Sequence, residues 1–117
     1  MLRIAAGKIF KDDYSALLAV QFEMVLEKMV NLRRTIMQRH PKENLLFQTL
    51  ENKAVPMIWG IQQALDPRVF ESVREMNGHV LWTIYWRLKC NPANKNMLFI
   101  DLLTELNKNP PFAMAFG

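Results

Sequence analysis

From Asp13 to His40 the chain reads as one long amphipathic helix, and no other feature restricts the fold as much. Leu18, Phe22, Val25, Met29, Leu32 and Ile36 recur at spacings of four and three, the period of one helix face. Leu17, Val20, Met24, Leu26, Val30 and Met37 widen that stripe, so it is too broad for a single neighbouring helix. Asp12 and Asp13 supply an N-cap signal. Pro41 disfavours helical geometry at His40. The helix would run roughly 40 Å at about 1.5 Å per residue. A chain of 117 residues is one domain, so a helix this long is its spine or part of a dimer interface. Leu18, Phe22, Val25 and Met29, together with Phe112, Met114 and Phe116 of the C-terminal tail, are the expected dimer-facing residues.

The rest of the chain supplies shorter helices. A second starts at Pro41, with Leu45, Leu46, Phe47 and Leu50 as its apolar set and an interruption at Pro56. Met57, Ile58, Ile61 and Leu65 continue the helical spacing, and Trp59 is expected in the core. Asp66-Pro67 reads as a cap followed by Pro at the first helical position. The helix it opens carries Val69, Val73, Met76, Val80, Ile84 and Leu88, and is expected to run through Asn77-Gly78. Asn91-Pro-Ala-Asn is a turn. Asn94 or Asn96 caps a last helix with Leu98, Phe99, Leu102, Leu103 and Leu106 inward. Residues 2–10 form an extended arm or a short helix, and the tail after Pro110-Pro111 presents Phe112, Met114 and Phe116 on one side. The expected fold is an all-α, compact bundle of about five helices, one domain over residues 1–117, with extended terminal arms.

Half of the residues are hydrophobic, which is too many for a disordered segment. One Cys rules out an internal disulfide framework. No run reaches the ~20 apolar residues of a membrane span, and no signal-peptide core is visible. A soluble, intracellular protein is therefore expected. The methionine-rich, motif-free composition has the character of small viral accessory proteins, with no residue-level resemblance behind it.

Catalytic and metal patterns are sparse. His40, His79 and Cys90 stand apart in sequence, and no HExxH, CxxC, GxGxxG or GKS/GKT pattern occurs. Acids pair as Glu23/Glu27 and Glu71/Glu75, which on a helix is ordinarily a solvated face. We therefore expect neither enzymatic activity nor a metal or cofactor.

Charge is more informative. The net charge is +4, yet Lys28, Arg33, Arg34, Arg39 and Lys42 lie in one stretch without an acid. Cations near a helix C-terminus complement its dipole, which accounts for some of them. The remaining readings are a solvated face, phosphate contacts to nucleic acid, or an acidic protein or anionic membrane surface. Trp82 and Trp86, one helical turn apart beside Arg87 and Lys89, read either as core or as an aromatic–basic contact patch. The expected function is that of a non-enzymatic homodimeric interaction or regulatory protein binding a macromolecular partner through Lys28–Lys42 and an aromatic/Met patch. The alternative is duplex nucleic-acid binding without sequence specificity.

Overall fold

The structure, a computed structural model, describes residues 9–108. The expected N-terminal arm lies mostly outside that range, and the Phe112, Met114 and Phe116 tail wholly so. The described residues form a bundle of five α-helices with no strand. The all-α expectation holds.

Helix α1 spans Asp13–Arg39, within one residue of the range expected. Asp12 caps it, its carboxylate accepting from the Ser15 N–H at 2.7 Å. Its innermost stripe is Ala16, Ala19, Leu26 and Val30, not the Leu18–Met29 stripe. The small residues Ala16 and Ala19 permit close approach of neighbouring chain at that end.

Helix α2, Asn44–Ala64, runs unbroken through Pro56. The expected interruption is therefore wrong. Pro56 lacks an N–H, so the Asn52 carbonyl loses its helical donor. Both residues are exposed, and water can satisfy that carbonyl at little cost. Phe22 of α1 lies directly over Gly60 of α2, where an added Cβ would come within 2.5 Å of the ring.

The segment after α2 also departs from expectation. Asp66 caps a turn, not a helix, accepting from the backbone N–H of Arg68 at 2.9 Å and from its guanidinium at 2.8 Å. These bonds hold the Asp66 carboxyl down at about 2. A single-turn helix α3, Glu71–Arg74, follows. Gln62 of α2 is buried and donates to the carbonyls of Val73 and Met76 at 3.1 and 2.8 Å, fixing the end of α3. The chain then breaks at Asn77, whose side chain accepts from His79 and Val80 and starts helix α4, Gly78–Lys89. Gly78 sits where α4 approaches α2, since a Cβ there would lie 3.1 Å from Val55 Cγ1. The apolar spacing runs through this break, which is why it suggests one helix.

Asn91 caps a 3₁₀ turn at Pro92–Asn94, and helix α5 spans Phe99–Lys108. Neither Asn94 nor Asn96 caps α5. Asp101 accepts from the Leu98 N–H at 2.9 Å, and Glu23 of α1 takes the next two amides. Phe99, Leu102, Leu103 and Leu106 are buried as expected. The core gathers Leu26 and Val30 of α1, Ile58 and Ile61 of α2, and Trp82 and Tyr85 of α4 around them. No helix among the described residues is long and apolar enough to cross a membrane.

Candidate functional site

The basic window divides once the chain is folded. Arg33 turns inward, its guanidinium 3.8 Å from the Trp86 ring centroid and 4.4 Å from that of Phe47. It is thus layered between α2 and α4. Its Nε is buried and has no hydrogen-bond partner among the described residues. Burial lowers the guanidinium pKa from its ordinary value, with partial relief from Cys90 and Glu51. The group stays charged at neutral pH regardless. Arg34 donates to the Lys89 carbonyl at 2.9 Å and to the Asn31 side chain at 3.3 Å, tying α1 to the C-terminus of α4. Lys28, Arg39 and Lys42 remain exposed. Sequence separation hides this division, because the partners of Arg33 and Arg34 lie on other helices.

Arg33 is therefore a structural cation. Each desolvated cation–π contact is worth ~0.5–2 kcal/mol. Arg33→Ala should lower unfolding free energy by about 1–3 kcal/mol in urea titrations. Arg33→Lys should recover less than half of that, because an ammonium does not stack on two rings as a planar guanidinium does.

The aromatic–basic patch does not survive as a surface. Trp82 is 0% exposed and Lys89 2% exposed. The Lys89 ammonium donates to the carbonyls of Lys95 and Met97 at 2.6 and 3.1 Å and lies 3.9 Å from Glu27. It is a staple holding the 3₁₀ segment against α4. Trp86 is half-buried under Arg33, and only Arg87 is fully open. Trp82 belongs to the core because the inward face of α4 is Leu81, Trp82, Ile84 and Tyr85.

The expected dimer stripe is likewise partly internal. Phe22 and Met29 pack against the core. Leu18 borders a groove with Trp59 and Gly60 of α2, and Val25 is half-buried.

Other residues take their place on the surface. Trp59, expected in the core, is 63% exposed, and Tyr14, Leu17, Met24 and Leu32 are exposed along α1. At the α1–α2 turn Leu45 is 73% exposed, with Met37 and Leu46 also open. No residue from Thr35 to Thr49 is buried. Arg33, Arg34 and Phe47 form a level at which α4 braces this hairpin. Beyond it the tip carries Met37, Leu45 and Leu46 together with exposed Arg39, His40, Lys42 and Glu43. The sequence did mark Leu45 and Leu46 as apolar. What it lacks is any sign that the body stops short of them.

Among the described residues, Glu23, Tyr85, His79 and Cys90 are engaged elsewhere or stand apart. Glu23 accepts from the Phe99 and Ile100 amides at 2.7 and 3.0 Å, with the Tyr85 hydroxyl at 3.5 Å. Burial raises its pKa above the ordinary glutamate value, the two amide bonds opposing and Asp101 and Glu27 adding to the rise. Burial, and Glu23 after it, also push the Tyr85 hydroxyl up. A mainly apolar cavity of about 170 Å³ lies beside Glu23, between Phe10, Val20, Met24, Ile61 and Ile100. His79 meets Glu51 at 2.9 Å on the surface, and Cys90 is an exposed thiol. Among the described residues no three His, Cys, Asp or Glu side chains gather to hold a metal.

Fold and surface together define a small all-α bundle with a projecting helical hairpin. Comparison with family models, curated proteins and solved structures found no match to the chain.

Proposed function

We propose that this is a non-enzymatic interaction protein whose α1–α2 hairpin tip docks onto a protein partner with an apolar patch bordered by carboxylates. One observation carries the reading. Met37, Leu45 and Leu46 are exposed within a tip that has no buried residue, among exposed cations. An apolar centre with a charged rim is the anatomy of a protein interface. Leucines in such a position contribute ~1.5–3 kcal/mol each when covered.

Nucleic acid fits less well. Arg33 and Arg34 are engaged within the fold, leaving Lys28, Arg39 and Lys42 of the window exposed. Phosphate-driven duplex binding commonly uses ~6–10 contacts, and phosphates give the three apolar side chains nothing to cover.

The test is fluorescence anisotropy with three labelled or labelling probes: a synthetic acidic amphipathic helical peptide, a DNA duplex, and vesicles containing anionic lipid. The peptide should bind, and Leu45→Glu/Leu46→Glu should weaken it at least about tenfold without lowering thermal stability. Binding of duplex or vesicles in preference to the peptide would overturn the reading, as would peptide binding indifferent to the double substitution.

A further inference from the structure

The outer face of α1 is a second surface, separate from the tip. Tyr14, Leu17 and Met24 are 71%, 58% and 57% exposed and follow one another at helical spacing on a single face. Gln21 and Lys28 lie on the same face and are exposed. Among the described residues nothing covers this row, since the buried face of α1 is the opposite one.

Two charges on α1 also lack partners. Neither Asp13 nor Lys28 forms an ion pair among the described residues. No acid stands three or four residues from Lys28 on its helix, and no cation stands so placed ahead of Asp13, so neither has the usual intrahelical partner.

We propose that a second copy of the chain packs antiparallel on this face, about a two-fold axis between Val20 and Gln21. That single centre places Leu17 against the partner subunit's Met24 and Asp13 against the partner subunit's Lys28. Each contact occurs twice, as two-fold symmetry requires. Gln21 meets its own counterpart near the axis, where two side-chain amides can exchange hydrogen bonds. The charged pairs stand about 22 Å apart along the helix at ~1.5 Å per residue, framing the apolar contacts. A parallel pairing would oppose Lys28 to Lys28, Asp13 to Asp13 and the two helix dipoles to one another. Charge therefore selects the antiparallel arrangement, which is the negative half of specificity.

An interface of so few side chains should dissociate on the order of tens of micromolar. It rests on residues other than those of the tip, so Leu45→Glu/Leu46→Glu leaves it intact. The test is sedimentation equilibrium of the full chain up to about 100 µM, a range set by that affinity. Wild type should show a monomer–dimer equilibrium. Lys28→Asp and Met24→Glu should each weaken association at least about tenfold, and Lys28→Asp combined with Asp13→Lys should restore it. Circular dichroism confirms that each variant keeps its helix. A wild-type chain monomeric throughout overturns the proposal. So does a Lys28→Asp chain that still dimerises, or a charge-reversed pair that fails to recover.

Discussion

Trp82→Ala should be the most damaging single substitution in the described chain, lowering unfolding free energy by about 3–5 kcal/mol. Trp82 is 0% exposed and sits in the core with Ile58, Tyr85 and Phe99. Truncation removes the largest buried side chain and leaves a cavity in that core. A domain of this size has only ~5–15 kcal/mol to lose, and its melting temperature should fall by about 4 °C or more per kcal/mol. Trp82→Phe should be far milder. It keeps most of the aromatic volume and deletes an indole N–H that has no acceptor among the described residues. Urea unfolding followed by circular dichroism decides the matter. An alanine variant as stable as wild type would mean that Trp82 is not in the core at all, restoring its role in a surface patch.

Glu23→Ala should be second, at about 2 kcal/mol, the balance of two charge-assisted bonds lost against one buried charge relieved. The carboxylate is the N-cap of α5 although it comes from a residue 76 positions away. Its loss should be local, with α5 amides exchanging hydrogen faster while α2 amides hold. The pH dependence has a definite sign. The folded pKa lies above the ordinary value of 4.5, with desolvation as the leading cause. The folded state therefore holds this proton more tightly than the unfolded chain does. Stability from this group is full below 4.5 and is lost as pH rises through the raised value. Against Glu23→Gln, which does not titrate, wild type should gain relative stability as pH falls from neutrality towards 4.5 and then level off. A difference that instead grows with rising pH would show the amide bonds outweighing burial. Asp66 runs the opposite way: its carboxyl sits at about 2, so its contribution is present above the ordinary aspartate range and fades as acid is added. Referring wild type to Glu23→Gln cancels that background.

Local chemistry was legible in the sequence, and non-local chemistry was not. The ends of α1 follow from Asp12 and Pro41, whose effects reach only a residue or a turn away. The inward set of α5 follows from spacing alone. Pro56 misleads because its missing N–H matters only where water cannot reach the orphaned carbonyl. Asn77-Gly78 misleads because apolar periodicity is blind to a change of helix axis. The broad apolar surface of α1 is real, but its dominant inward stripe runs through Ala16 and Ala19, which hydrophobic spacing weighs too lightly. For the site, the charge excess was visible, whereas the layering of Arg33 between Phe47 and Trp86 depends on three helices at once. The exposure of Leu45 and Leu46 depends on where the remaining helices end. No rule confined to one segment contains that fact.

The central claim is that the α1–α2 tip is the docking element. The most direct measurement is a nuclear magnetic resonance titration of the labelled chain with an acidic amphipathic helical peptide. Backbone amide shifts should concentrate between Met37 and Phe47, spare α4 and α5, and vanish in Leu45→Glu/Leu46→Glu. Shifts that avoid the tip, or that persist in the double variant, would contradict the account.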